Sequence, residues 1–211
     1  MDKKQRLADL KKRMDDDKTL PLRKGANQLV FGEGDPDSKI YFIGEAPGFH
    51  EDRLGRPFVG MAGKLLDELI TSINLKREEV YISNIVRFRP PENRDPSPEE
   101  IAAFQPYIDE EIEIIDPDII VTLGRFSMNK FLPNTKISII HGKIFWVNWV
   151  GRDRKVLPMF HPAAALRADN VMLSLKQDFK VIERELMGEA KKEEIVEQKE
   201  EEKKPEQLEL I

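Results

Sequence analysis

The chain has 211 residues, 35% of them charged, with a formal net charge of −5 at pH 7 and no cysteine. This length supports one core-forming domain. The acidic balance argues against a tight, salt-sensitive nucleic-acid binder, and the lack of cysteine excludes disulfides and thiolate metal sites. Because we find neither an apolar leader nor a run of membrane-spanning length, we expect a soluble, cytoplasmic protein that does not enter membranes.

The negative charge is concentrated at the carboxyl terminus. Residues 189–211 carry nine Glu and five Lys, so the remaining body is close to neutral. We expect residues 1–188 to form the domain and residues 189–211 to form a charged, disordered tail. A near-neutral body remains compatible with an enzyme that scans DNA through a few phosphate contacts.

Apolar periodicity and turn signals predict alternating helices and strands. In chain order these are a helix at residues 2–14, a strand at 39–43, a helix at 61–73, a strand at 80–86, a helix from the Ser97 capping box to about 115, a strand at 118–123, a helix from 124, a hairpin of strands 144–149 and 155–159, and a helix at 171–186. This order predicts a three-layer α/β/α domain with a central, mostly parallel four-stranded sheet. Such sheets carry their sites where the strands end.

The loop after the first strand reads Gly-Glu-Ala-Pro-Gly from Gly44 to Gly48. Its glycines let backbone N–H groups point into a cleft and let a ligand approach closely. Glu45 can orient or deprotonate a water, and Glu51 is a second candidate. Phe58, in a rigid Pro-Phe segment, can stack on a flat ring. For any one of these residues alone, a capping glutamate or a core phenylalanine is the better interpretation.

Two further candidates are an asparagine at the end of the second strand and a histidine that follows the hairpin. The amide of Asn84 offers a donor and an acceptor side by side, which pairs with the O4 and N3–H edge of uracil and mismatches cytosine. His161, fixed by Pro162, can reach a leaving group. The alternatives are a strand-end cap for Asn84, a structural role for the His-Pro pair, and a solvated loop for the arginines that follow Asn84.

These motifs, in this order, resemble the uracil-DNA glycosylase superfamily, and most closely its family four. The resemblance covers roughly residues 5–187 and includes Gly-Glu-Gly-Asp at residues 32–35, Pro-Phe-Val-Gly at 57–60, Arg-Pro-Pro at 89–91 and His-Pro at 161–162. It implies a base-excision repair enzyme that flips uracil out of DNA and hydrolyses its N-glycosidic bond.

The resemblance also implies roles for individual residues. Glu45, with Glu51 in reserve, positions the water, and His161 stabilises the charge that develops on uracil O2. Ala46 stands where the best-studied branch of the superfamily has an aspartate that activates water. The remaining assignments are uracil binding by Ala46, Phe58 and Asn84, and DNA binding by Gly44, Gly48, Arg89, Pro162 and Arg167.

Family four holds an iron–sulfur cluster on four cysteines, and none is present here. The corresponding positions are occupied by Asp17, Leu20, Phe88 and Phe104. None of these side chains replaces a thiolate for iron. We therefore expect no cofactor and a cavity refilled by apolar side chains.

Other interpretations stay open on the sequence. They are a non-catalytic relative that binds deaminated bases in DNA, a glycosylase shifted to hypoxanthine or xanthine, and an unrelated nucleotide-binding module. A clamp-binding peptide at residues 206–211 is a further possibility for the tail, although the usual aromatic pair is missing and a solvated end is the better interpretation. We expect a nucleoid-associated monomer.

Overall fold

The computed structural model describes residues 2–188, which form one mixed sheet between two layers of helices. The strands are β1 (Glu33–Gly34), β2 (Ile40–Gly44), β3 (Tyr81–Asn84), β4 (Ile119–Leu123), β5 (Phe145–Trp149) and β6 (Arg152–Met159). Within the described residues their order is β1-β3-β2-β4-β6-β5. The central four strands are parallel, whereas β1 and β5 pair antiparallel at the edges.

Eight α-helices surround this sheet in residues 2–188. They are α1 (Lys3–Asp16), α2 (Phe49–Leu54), α3 (Met61–Ser72), α4 (Pro98–Ile115), α5 (Arg125–Phe131), α6 (Ile137–Ile140), α7 (Pro162–Ala165) and α8 (Asp169–Leu186). The predicted capping box of α4 is confirmed, because Ser97 Oγ accepts from the Glu100 N–H and the Glu100 carboxylate accepts from the Ser97 N–H. None of these helices combines the length and hydropathy of a membrane span.

The sheet has a core on each face because alternate strand residues point in opposite directions. Tyr41 and Ile43 of β2 pack with side chains of α1, α4 and α5. Ile40 and Phe42 pack on the other face with α3 and α8. The three-layer α/β/α prediction is confirmed. Within residues 2–188 the sheet has six strands and not four, because β5 of the predicted hairpin joins one edge and β1, which was not predicted, joins the other.

The hairpin differs slightly from its prediction because its turn is tight. Val150 and Gly151 both have positive φ, at 53° and 71°, as two-residue hairpin turns require. β6 therefore begins at Arg152 and pairs with β5 along its length. The predictions for residues 189–211 lie outside the described residues.

One arginine that follows β3 is not part of a solvated loop. Arg87 is fully buried, and its Nη2 lies 2.5 Å from Oε2 of Glu111 on α4. The same carboxylate accepts hydrogen bonds from Ser83, Tyr41 and Tyr81. A buried charge persists when it is paired and hydrogen-bonded, so this cluster fastens α4 to the sheet below the loop.

Candidate active site

The carboxyl ends of β2, β3, β4 and β6 lie at one edge of the sheet, since these strands are parallel. Gly44 and Asn84 end β2 and β3 as register partners. A methyl group at Gly44 would lie 2.5 Å from both Asn84 Oδ1 and Phe58 Cζ. Because glycine has no side chain, the Asn84 amide and the Phe58 ring can both approach the backbone at this point. A backbone surface, an amide and an aromatic ring therefore lie together here.

Phe58 lies in this pocket with its backbone in the left-handed region. Its φ is 51° and its side chain is 5% exposed. Its ring stacks beside that of His161, with centroids 5.6 Å apart and planes inclined by 27°. A non-glycine residue holds this conformation only where its surroundings enforce it.

Glu51 supplies part of that enforcement. Its Oε1 accepts hydrogen bonds from the backbone N–H groups of Val59 at 2.8 Å and Gly60 at 2.7 Å. Its Oε2 accepts from the N–H of Gly48 at 3.1 Å. Both carboxylate oxygens are thus engaged by backbone donors, and the residue ties the loop after β2 to the segment that carries Phe58.

His161 follows β6 and precedes α7. Its Nδ1 accepts a hydrogen bond from the Ala163 N–H at 3.1 Å, which leaves the ring proton of the neutral imidazole on Nε2. Burial lowers the pKa of His161 to about 4, although the charge of Glu51 acts in the opposite direction. The side chain is therefore a neutral hydrogen-bond donor at physiological pH.

Asn84 is buried and has an unused acceptor. The residue is 2% exposed, and its Oδ1 has no hydrogen-bond partner among residues 2–188. Leaving a buried acceptor unpaired costs free energy. A ligand N–H that donates to Oδ1 would remove that penalty. The site therefore favours a ligand that presents a hydrogen-bond donor on its edge.

Glu45 directly follows β2 and is partly exposed. Burial raises its pKa to about 7; the nearby carboxylate of Asp95 adds to this effect, and Arg125 opposes it. Asp95 and Arg125 form an ion pair beside it. A carboxyl group that ionises near neutral pH is matched to accepting a proton from water.

The residues predicted to contact DNA differ in exposure. Arg89 places its guanidinium 5.3 Å from the ring centroid of Phe49, which is 51% exposed at the start of α2. Arg167 is exposed, as is the neighbouring Leu166. Pro162 is buried at the first position of α7 and supports the His161 turn. Ala46 is partly buried and packs against the core cluster that contains Tyr41 and Ile43.

Sequence reasoning missed several residues that shape the site. Gly124 follows β4, and a methyl group there would lie 3.1 Å from His161 Cβ. A glycine directly after a buried strand, as at Gly44, was the available signal. Arg77 donates hydrogen bonds to the carbonyls of Pro57 and Phe58. No local pattern singles it out, because its partners are distant in sequence.

The four positions that correspond to cluster ligands do not fit an iron–sulfur cluster. Leu20, Phe88 and Phe104 are buried in one core cluster, and the two phenylalanine rings lie 6.2 Å apart. Asp17 instead accepts hydrogen bonds from Thr19 and from the Tyr107 hydroxyl at 2.7 Å. Since three of the positions offer no ligand atom, the donor chemistry is wrong for iron.

The chain is similar to known proteins over most of its length. The model of the uracil DNA glycosylase superfamily matches residues 31–186. The type-4 uracil-DNA glycosylase of Thermotoga maritima is 47% identical over 147 residues, which are 70% of this chain and 76% of the relative. That of Archaeoglobus fulgidus is 45% identical over 166 residues, 76% of this chain and 83% of the relative. That of Saccharolobus solfataricus is 42% identical over 192 residues, with 88% of each chain covered. The chain therefore belongs to the uracil DNA glycosylase superfamily and, within it, to the type-4 family, from whose cysteine pattern it departs.

Proposed function

We propose that this protein excises uracil from DNA by hydrolysing the N-glycosidic bond, leaving an abasic site. The observation that carries the proposal is the unpaired, buried Oδ1 of Asn84 beside the ring of Phe58. A flat base with an N–H donor on its edge satisfies both groups at once. The type-4 relatives are named as uracil-DNA glycosylases, which supports the same activity.

Recognition depends on the edge of the base. Asn84 Oδ1 accepts the N3–H of uracil, and the amide NH₂ donates to O4. Cytosine presents an acceptor at N3 and a donor at position 4, so it meets the amide with the wrong polarity. Phe58 stacks on the ring, and Gly44 permits close approach because it has no side chain.

Bond cleavage is assisted by the neutral His161. As the C1′–N1 bond breaks, its electron pair moves onto the uracil ring and negative charge develops at O2. The Nε2–H of His161 donates to that oxygen and stabilises the charge. Because its pKa is about 4, the imidazole acts here as a hydrogen-bond donor and does not transfer a full proton.

The attacking water is assigned to Glu45. The water oxygen bonds to C1′ of the sugar while its proton passes to the Glu45 carboxylate, whose pKa of about 7 suits this transfer. We also propose that Ala46, the next residue in the chain, contacts uracil. Glu51 acts as a positioning residue, since backbone N–H groups occupy both of its oxygens.

DNA contacts are assigned to groups around this edge of the sheet. Gly48 and Arg89, both partly exposed, contact the strand from the loops after β2 and β3. Arg167 and the exposed Leu166 fill the space that the flipped base leaves. Pro162 contributes by fixing the turn between His161 and α7.

A glycosylase assay tests the proposal. Oligonucleotides with U:G, U:A, hypoxanthine:T or single-stranded U are incubated with the protein and treated with hot alkali. We expect strand breaks at uracil and none at hypoxanthine. Breaks only at hypoxanthine would establish the shifted specificity, and tight binding of uracil DNA without breaks would establish the non-catalytic relative.

Clamp binding, the monomeric state and nucleoid association remain predictions. Deleting residues 206–211 tests the first of these, because a clamp-binding tail must lose affinity for a sliding clamp in a pull-down. Sedimentation of the full chain tests the second.

A further inference from the structure

The conformation of Phe58 requires a source of constraint beyond its own sequence neighbours. Its φ of 51° is disfavoured for a side chain with a Cβ. Glu51 holds the N–H groups of the next two residues, but this fixes only one side of the segment. The carbonyl groups on the other side need a donor.

Arg77 provides that donor. It lies in a short 3₁₀ turn, Arg77–Glu79, before β3, and its side chain is mostly buried. Its Nη2 donates to the Pro57 carbonyl at 2.6 Å, and its Nη1 donates to the Phe58 carbonyl at 3.1 Å. The rigid guanidinium fork thus bridges the two peptide groups that flank the strained residue.

The fork is itself fixed by two carboxylates. Glu33 Oε1 accepts from Nε and Nη2 of Arg77 at 3.2 and 2.9 Å. Asp67 Oδ1 accepts from Nη1 at 2.7 Å. Glu33 also binds Arg56, so the carboxylate sits between two arginines. Glu33 lies in β1, within the Gly-Glu-Gly-Asp segment to which the base-excision site assigns no direct role.

We propose that Arg77, oriented by Glu33, is a positioning residue that holds the Phe58 ring in the base pocket. Arg77 donates hydrogen bonds to the carbonyl groups of this segment, and Glu51 accepts hydrogen bonds from its N–H groups. The segment from Pro57 to Gly60 is therefore held on both sides. This inference rests on the proposed function, because it assigns the clamped ring to stacking on the flipped base.

The test combines kinetics with a direct readout of the ring. Single-turnover release of uracil is measured for R77M, R77K and E33Q, alone and in an F58A background. In parallel, the nuclear Overhauser contact between the Phe58 and His161 rings is followed by NMR. The matched control is D116N, since Asp116 also lies between two arginines, Arg152 and Arg154, but at the amino end of β4.

We expect R77M and R77K to slow uracil release by about 10- to 100-fold through misplacement of the ring. Lysine fails because one ammonium cannot span two carbonyls and two carboxylates. E33Q has a smaller effect in the same direction, and D116N has none. In the F58A background, R77M should cost less than about threefold more, because both changes act on one group. The contact between the Phe58 and His161 rings weakens in R77M, R77K and E33Q and is unchanged in D116N.

The following outcomes decide whether Arg77 positions Phe58. Full activity and an unchanged ring contact in R77M overturn the proposal, as does an additive loss in the F58A background. If R77M does not fold, E33Q decides by the same criteria. If the wild-type chain releases no uracil, the proposed function fails, and the NMR contact alone decides whether Arg77 positions Phe58.

Discussion

Two neighbouring regions of this molecule, the base pocket and the region that corresponds to the cluster ligands, differ in how their side chains are packed and hydrogen-bonded. Each contains a residue at or just after the end of β3. In the base pocket, Asn84 keeps a buried acceptor without a partner and Phe58 keeps a strained backbone. In the region that corresponds to the cluster ligands, Phe88 and Phe104 are buried against one another with Leu20. The base pocket lowers the free energy of unfolding, whereas the apolar packing of the second region raises it.

The contrast follows from what each region has to contact. A pocket that must receive a base needs unsatisfied groups and a fixed ring before the base arrives. A region whose side chains do not fit an iron–sulfur cluster is free to reach ordinary core packing, where each large apolar side chain contributes about 1.5–3 kcal/mol. Arg23 adds to this packing by lying 4.6 Å over the Phe88 ring.

The largest expected effect is on the free energy of unfolding, in the core around Leu20, Phe88 and Phe104. Phe104→Ala should lower the free energy of unfolding by about 3–5 kcal/mol, because a fully buried ring leaves a cavity. Chemical denaturation measures the loss. Phe179→Ala is the matched control in the opposite layer, since Phe179 is equally buried. A loss of less than about 1 kcal/mol only at Phe104 would show that the region is loosely packed.

The next effect is on catalysis. His161→Ala should reduce the single-turnover rate by about 10²- to 10³-fold, because it removes the donor to the developing charge on O2. Binding of an oligonucleotide with a non-cleavable uracil nucleotide should change little. Stability should not fall as it does in Phe104→Ala. Equal activity in the variant would remove His161 from its assigned role.

Asn84→Ala separates the two regions most directly. We expect uracil release to slow by about 5- to 150-fold, the range that corresponds to the 1–3 kcal/mol of a bidentate base contact. The melting temperature should stay the same or rise, since the variant removes a buried acceptor that has no partner among residues 2–188. Calorimetry and the cleavage assay test both halves. A large drop in melting temperature would instead mark Asn84 as a structural cap.

The smallest effect is a pH dependence assigned to Glu45. Its ionised form accepts the proton from water, so the rate should rise about tenfold per pH unit below the pKa and level off above the value of about 7. E45Q should flatten this profile. A profile that is unchanged in E45Q would assign the ionisation to another group.

The raised pKa of Glu45 also makes the free energy of unfolding depend on pH. The rate rises with pH, whereas stability falls with pH. Because the folded-state pKa of Glu45 lies above the ordinary 4.5, the folded chain binds more protons than the unfolded chain between 4.5 and about 7. The stabilising contribution is complete below 4.5 and is lost as pH rises through about 7. E45Q should remove this slope from the dependence of unfolding free energy on pH.

The sequence by itself determined the alternation of helices and strands, the family and the loops that carry the site. Periodicity and capping are local, so the helix of Ser97 and the strand before Gly44 could be predicted from a few adjacent residues. The motifs around Asn84 and His161 are equally local, so the sequence alone predicts that these residues belong to the site.

Only the tertiary structure decided which of these groups act together. The burial of Arg87 against Glu111 joins residues far apart in the chain. The hydrogen bond from Arg77 to the Phe58 carbonyl and the apolar contact of Phe88 with Phe104 also join residues from separate parts of the chain. Such contacts depend on packing between separate elements, and no pattern in adjacent residues encodes them.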